Sequence, residues 1–341
     1  MNSVESGPAF DRIVGHRHPK AFLDRIQATG RIATGLLFHG DRGRGKHTTA
    51  RAFVQRLFCD QADGCGRCPP CRQLLSHNHP DLESVGLAEG KSRIAIEQIR
   101  DLKEWFSRAP FEADRRVAIV DDAQLMSTEA QNSLLKLLEE PPGAGLLILV
   151  TPEPGGLLET VHSRLQSVYF GPLADQDILE ILAAQGEVEP EAARAVLPLA
   201  GGSVGRALEN LGDERSQVII EAATRLFDLA LQPFAYAEFV CGGKTAGAAA
   251  RRDVGAVLDA AMEMLSRKLR AEALGLAPAA ASSGSLPPLP LEVIEEVQGL
   301  LLEAQASVGA NVSPRGLLES LKIRLHRLIG LARRRTVGGE G

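Results

Sequence analysis

Leu36-Leu37-Phe38-His39-Gly40-Asp41-Arg42-Gly43-Arg44-Gly45-Lys46-His47-Thr48 decides the fold. An apolar strand runs straight into a glycine-rich turn, and Lys46 opens the helix that follows. This is the setting of a phosphate-binding loop. Gly40, Gly43 and Gly45 let backbone N–H groups cradle phosphates, and Lys46 reaches the outer ones. The motif ordinarily continues with Ser or Thr, whose hydroxyl ligates Mg²⁺. His47 stands there instead, and an imidazole is a poor ligand for a hard, oxygen-seeking cation. Thr48 follows, rotated about 100° around the helix, and cannot simply replace it. The loop predicts nucleotide binding; His47 predicts poor metal-assisted hydrolysis.

Moving outward, three more strand-type runs stand between helical stretches: Val117–Val120, Leu146–Val150 and Val168–Phe170. With Leu36–His39 they are continuous rather than alternating, as in buried strands of a parallel sheet. Ile96, Ile99, Leu102, Lys103 and Phe106 mark one helix at period 3.6. Ala130, Leu134, Leu137 and Leu138 mark another, capped by Ser127 or Thr128 and stopped by Pro141-Pro142. Strand–helix alternation predicts an α/β domain of the P-loop type with a parallel sheet, ending near residue 170.

After Gly171-Pro172 the strand signals stop. Residues 175 to 212 read as short helices with a turn at Gly201-Gly202, and long Ala/Leu-rich helices dominate from about 215 onward. Ala277-Pro278 to Pro290 reads as a flexible connection. The last helix, Leu317 to Leu331, runs into Arg333-Arg334-Arg335, a triplet expected to be a solvated helix end.

Composition narrows the function. At 341 residues, 44% hydrophobic and 24% charged, the chain can bury real cores over two or three domains. The net charge of −5 argues against a broad nucleic-acid grip, and 4% aromatic residues argue against a base-stacking platform. The longest apolar run, Leu146 to Val150, is far short of the roughly 20 residues of a membrane span. Met1-Asn2-Ser3-Val4-Glu5 carries no secretory pattern, so a cytoplasmic protein with no membrane partner is expected.

Two further motifs carry chemistry. Val117-Ala118-Ile119-Val120-Asp121-Asp122 is an apolar strand ending in two carboxylates. Asp121 fits the role of orienting Mg²⁺ and its water. Asp122 stands where related ATPases usually carry a glutamate base, one methylene too short for the same reach. Cys59, Cys65, Cys68 and Cys71, spaced C-x5-C-x2-C-x2-C, suit a tetrahedral, structural Zn²⁺ site, with glycine and proline turns between them. An iron–sulfur cluster is the rival, but the fourth cysteine lies upstream, which favours zinc. His77 and His79 read as loop residues rather than ligands, and Cys241 as a buried thiol.

Assembled in order, these segments resemble the AAA+ clamp-loader subunits of bacterial DNA polymerase III. Phe10-Asp11-Arg12-Ile13-Val14-Gly15-His16 is similar to the family's opening box near the adenine. The phosphate loop, the cysteine module, His79-Pro80-Asp81-Leu82, residues 94–100 and 120–126 follow. Ala130-Gln131-Asn132-Ser133-Leu134-Leu135-Lys136-Leu137-Leu138-Glu139-Glu140-Pro141-Pro142 is the most specific stretch. Thr151 falls at the sensor 1 position, Ser163-Arg164-Leu165 at the family's Ser-Arg-Cys motif, and Gly202–Leu208 at the start of the sensor 2 helix, with Arg206 inside it.

The resemblance implies three domains: an AAA+ core over residues 1–172, a helical lid over 173–213 and an all-α collar over 214–341. It implies a nucleotide site that includes Thr151 and Arg206 beside the loop, Thr48, Asp121 and Asp122. It further implies a hetero-pentameric ring with gamma/tau and delta subunits that loads a sliding clamp onto primer-template DNA. The departures choose the kind of subunit. A hydrolysing gamma/tau motor would keep Thr, Glu and usually Cys where His47, Asp122 and Leu165 stand. The stator, delta-prime kind is typically defective in hydrolysis, and it would lend Arg164, with Ser163 setting its loop, to a neighbour's ATP. A motor that tolerates His47, and a zinc-dependent binding module with a vestigial nucleotide site, are the competing readings.

Overall fold

The computed structural model describes residues 10–139, 143, 145–186, 188–242, 247–273, 290–308 and 312–337. Pro141-Pro142 and most of the connection ending at Pro290 lie outside them, as do the side chains of Arg333-Arg334-Arg335. The chain divides into two compact units: Met1–Ile181 with Gly202–Gly205, and Leu182–Gly201 with Arg206–Gly341.

The first unit alternates helix and strand: α1 (Arg17–Thr29), β1 (Gly35–His39), α2 (Lys46–Phe58), α3 (Pro69–Leu75), β2 (Leu82–Val85) and α4 (Ile96–Ser107). Then come β3 (Val117–Val120), α5 (Thr128–Glu139), β4 (Leu146–Thr151), α6 (Glu159–His162), β5 (Gln166–Tyr169) and the start of α7 (Asp175–Ala184). The strands form one parallel sheet in the order β2-β3-β4-β1-β5. Because successive side chains leave a strand on opposite faces, each strand feeds two cores. Leu36 and Phe38 pack with Phe53 of α2 and Leu23 of α1. Leu37, Val120 and Leu149 pack on the other face with Leu102 of α4 and Leu134 of α5.

β3 and β4 are buried at every position, as their continuous apolar runs predict. The Ser127 cap is also present: its hydroxyl accepts the Ala130 N–H at 3.2 Å. Two expectations need correction. β5 begins at Gln166 and is an edge strand in which only Val168 is buried. β2, absent from the strand reading, forms the opposite edge through Leu82-Glu83-Ser84-Val85. Edge strands keep one side in water and so need no unbroken apolar run.

The second unit is helical. It comprises α8 (Pro190–Ala200), α9 (Val204–Asn210, whose first residues belong to the first unit), α10 (Glu214–Leu226), α11 (Pro233–Cys241), α12 (Ala248–Ala273), α13 (Leu291–Val308) and α14 (Pro314–Val337). Leu226, Tyr236, Leu258, Val297 and Leu325 share its core, with Cys241 buried as expected. No described helix is long and apolar enough to cross a membrane.

Candidate functional site

The phosphate loop leaves β1 at the carboxyl end of the sheet, where ligands of open parallel sheets bind. Two of its glycines are demanded by contacts. At Gly40, φ is 136° and a Cβ would stand 2.2 Å from the Phe170 carbonyl oxygen; at Gly43, φ is 71° and a Cβ would stand 2.4 Å from Ser203 Oγ. Gly45, also at positive φ, caps α2. Lys46 is buried, and its Nζ donates to the carbonyls of Gly40 at 2.6 Å and Asp41 at 2.7 Å. Burial lowers its pKa, opposed by the nearby Asp121 carboxylate. The ammonium is thus held inside its own loop.

His47 is half-buried and Thr48 exposed on the first turn of α2, while Thr49 turns its hydroxyl back to the Gly45 carbonyl at 2.9 Å. The Thr49 hydroxyl is thus committed to its own backbone, and His47 offers no oxygen at the position of the usual Ser or Thr.

β3 delivers Asp121 and Asp122 beside the loop. Asp122 adopts a left-handed conformation, φ 47° and ψ 46°. Its Oδ1 accepts from Arg42 of the loop at 3.2 Å and from Gln124 Nε2 at 2.8 Å. Gln124 in turn accepts the Thr151 hydroxyl at 2.8 Å, and Thr151 Oγ1 receives the Glu153 N–H at 3.0 Å. The structure therefore brings Asp122 and Thr151 into one chain of hydrogen bonds. Arg42 and Gln124, which hold that chain together, carried no signal in the sequence.

The segment 202–205 closes over the loop. Ser203 Oγ donates to the Arg42 carbonyl at 2.9 Å, and the Gly205 N–H donates to the Gly43 carbonyl at 3.1 Å. Below it, buried Arg44 donates to the Phe170 carbonyl at 3.2 Å and pairs with Asp41. His16 Nε2 meets the Arg44 carbonyl at 2.6 Å, and its ring stands edge-on to Phe170; burial lowers its pKa. Beside His16 opens a cavity of about 510 Å³ lined by Pro19, Phe22, Tyr169, Leu173 and Asp177 among others. Arg206 is exposed on α9 and belongs to the second unit, not to the one that carries the loop.

Cys59, Cys65, Cys68 and Cys71 converge, with all four Sγ atoms within 4.8 Å of one another. Cys65 Sγ receives the N–H groups of Arg67 and Cys68, each at 3.4 Å, and these hold its thiol down to about 7. Positive φ at Gly64 and Gly66 makes the turns. Four sulfur donors with N–H groups aimed at them fit a soft or borderline divalent metal, and the cluster could hold one. His77 and His79 stand outside it. His79 instead accepts the Asp81 N–H at 3.1 Å and stacks on Phe58.

Arg164 lies in the turn between α6 and β5, and its side chain is 37% exposed. Its Nε and Nη2 both reach Glu139 Oε1, at 2.9 and 2.6 Å, and Nη1 donates to the Thr160 carbonyl at 2.8 Å. Ser163 ends α6 and bonds back to the Thr160 carbonyl at 3.2 Å.

Residues 15–174 match the family model described as DNA polymerase III, delta subunit. The chain is 35% identical over 199 residues to a Bacillus subtilis protein named DNA polymerase III subunit delta', covering 55% of this chain and 58% of that protein. It is 33% identical over 205 residues to DNA polymerase III subunit gamma/tau of Mycobacterium tuberculosis, covering 58% of this chain and 35% of that one. The chain thus spans less than two thirds of the length of these curated relatives. Among solved structures it is similar to a Thermotoga maritima DNA polymerase III gamma subunit-related protein: 18% identity, 89% of this chain and 98% of that one, TM-score 0.38.

Proposed function

We propose, from the premise that residues 15–174 form a clamp-loader domain of the DNA polymerase III delta-subunit family, that this chain is a delta-prime, stator subunit of a clamp loader. Its work is to complete a neighbour's ATP site rather than to run its own. On this reading it joins gamma/tau and delta subunits in a hetero-pentameric cytoplasmic ring that loads the sliding clamp onto primer-template DNA. Residues 1–172 are its AAA+ core, 173–213 its lid and 214–341 its collar.

One observation carries the reading. The carboxylate at the position of the hydrolytic base, Asp122, is engaged by Arg42 and Gln124, while Arg164 stands at the surface. A base must reach the water it activates, and a carboxylate turned to an arginine of its own loop is poorly disposed to do so. A guanidinium presented outward can still act on phosphates held by another chain. Charge spreads over the transferred group in the transition state, and an arginine supplied in trans can be worth about 10³–10⁵ in rate.

Lys46, Gly43 and Gly45 support adenine nucleotide binding in this chain, with Asp121 the carboxylate nearest a Mg²⁺ role and Thr151 as a sensor. A nucleotide at the loop would compete with the bonds that hold Lys46 to Gly40 and Asp41. The four cysteines would hold Zn²⁺, whose contribution is a structural cross-link between the end of α2 and α3.

The test is Arg164→Ala in a complete clamp loader reconstituted with the host's partner subunits. Assembly should be intact while ATP hydrolysis and clamp loading slow; the loss is partial because other sites keep their own arginines. Arg164→Lys should restore little, since an ammonium cannot reproduce the planar fork. Wild-type rates with Arg164→Ala, or brisk hydrolysis by the isolated chain, would favour the motor reading.

A further inference from the structure

We propose that Glu139 is the positioning residue for Arg164: it sets the guanidinium before the neighbouring subunit's nucleotide arrives. The inference rests on the trans role of Arg164 argued above. Its basis is the way one carboxylate oxygen and one carbonyl hold the guanidinium from two sides.

Glu139 is the last residue of α5, and Arg164 follows α6. These helices pack against each other, Leu134 and Leu138 of α5 sharing a core with Val161 of α6. The two ends of the pair are therefore fixed by buried apolar contacts, not by the ion pair itself. Glu139 Oε1 takes the side fork of the guanidinium, Nε at 2.9 Å and Nη2 at 2.6 Å, and the Thr160 carbonyl takes Nη1 at 2.8 Å. An arginine offers five N–H donors. Two are used in hydrogen bonds, Nε–H and one N–H of Nη1, while Nη2 lies in ion contact with the same Glu139 oxygen, so N–H groups remain on both terminal nitrogens for an incoming phosphate oxygen.

The pair is 37% and 48% exposed, so its contribution to stability is small. Its effect falls instead on geometry. A free arginine samples many rotamers, and ordering it at the moment of reaction slows the step it assists. Holding it beforehand removes part of that cost. Glu139 also presents its charge to the side fork alone, so the outer face of the guanidinium stays available. A carboxylate on the outer face would block it.

The experiment uses the complete reconstituted complex and compares steady-state ATP hydrolysis for wild type, Arg164→Ala, Glu139→Ala, Glu139→Gln and the double variant Glu139→Ala/Arg164→Ala. The part of the rate that depends on Arg164 is the difference between wild type and Arg164→Ala. Glu139→Ala should lower that part by about 2- to 5-fold, the range of an exposed pair's coupling. Glu139→Gln, which keeps the acceptor oxygen, should lower it less. In the Arg164→Ala background, Glu139→Ala should change nothing further, a result that a general structural role would not give. If Glu139→Ala fails to assemble, Glu139→Gln alone decides by the same comparison. An unchanged Arg164-dependent rate in both Glu139 variants, or an equal loss with and without Arg164, overturns the proposal. If Arg164→Ala itself has no effect, the trans reading fails instead, so the two failures are distinct.

Discussion

Arg42 Nη2 and Asp122 Oδ1 stand 3.2 Å apart, joining the phosphate loop to the end of β3. The two residues are 80 positions apart in the chain, and nothing in the sequence signals that they meet. Their contact engages one oxygen of the carboxylate that a hydrolytic site would need. Asp122→Asn should therefore leave ATP hydrolysis by the isolated chain unchanged, with background turnover expected of both proteins. A coupled steady-state assay checks this. Substantial turnover that disappears with Asp122→Asn would show that Asp122 is a working base after all.

The cysteine cluster makes a compositional prediction. Protein produced without added zinc should carry one zinc ion per chain by elemental analysis. A strong chelator should lower the melting temperature, because a metal bound to the folded cluster alone stabilises the fold that holds it. Cys71→Ser should lose the metal and the chelator effect together. Iron, or a brown preparation, would overturn the zinc assignment.

Asp81 predicts an acid-sensitive step. Burial alone would push its carboxyl up, but the N–H groups of Ala113, Glu112 and Phe111, with Arg116 beside them, outweigh burial and hold it below the usual carboxylate value. A carboxyl that is lower in the folded state adds stability that is complete above its unfolded value of 3.8 and is lost as pH falls through the folded one. Asp81→Asn should cost about 1–3 kcal/mol at neutral pH, having left buried N–H donors poorly matched. It should also flatten the acid limb of stability below the unfolded value of 3.8. Denaturant melts at several pH values would show it; parallel acid limbs for the two proteins would refute it.

Lys322 predicts a rise of stability with pH as well, but at the alkaline end and in the second unit. Its buried Nζ donates to the carbonyls of Arg225, Leu226 and Asp228 at 2.6, 2.8 and 2.7 Å, closing the end of α10. Burial brings its pKa down to about 8 from 10.5. Between those values the unfolded chain holds a proton that the folded chain has released, so this group makes stability rise with pH across that window. Lys322→Met should destabilise by about 1–3 kcal/mol by orphaning the carbonyls and should lack that rise. Equal stability of the two proteins at pH 7 would show that water satisfies the three carbonyls.

Much of this was legible in the residues themselves. The loop from Leu36 to Lys46 announces its turn by glycines that the contacts of Gly40 and Gly43 then require. The buried residues of α4, Ile99, Leu102 and Phe106, are ones its period singles out. β2 was not legible, because Glu83 and Ser84 break any apolar run and an edge position tolerates them. Nor was the function of Asp81, whose partners at 111–113 sit across a loop with no periodic signal. Pairings such as Arg42 with Asp122, or Ser203 with the Arg42 carbonyl, depend on tertiary closure, and local patterns do not encode them.

The order of strands in the sheet sets an order of events during synthesis. β1 is emitted early, yet both its neighbours come late: Leu37 pairs with Leu149 on one side and Ser167 on the other. The loop it carries is sealed later still, by Ser203 and Gly205. A nascent chain that ends before β4 holds β1 as an unpaired apolar segment, exposed to wrong partners or to chaperones. Cys59 to Cys71, by contrast, can close on a metal as soon as they leave the ribosome. A truncation series would then show the metal site forming first and the phosphate loop becoming protease-resistant only once residue 205 is present.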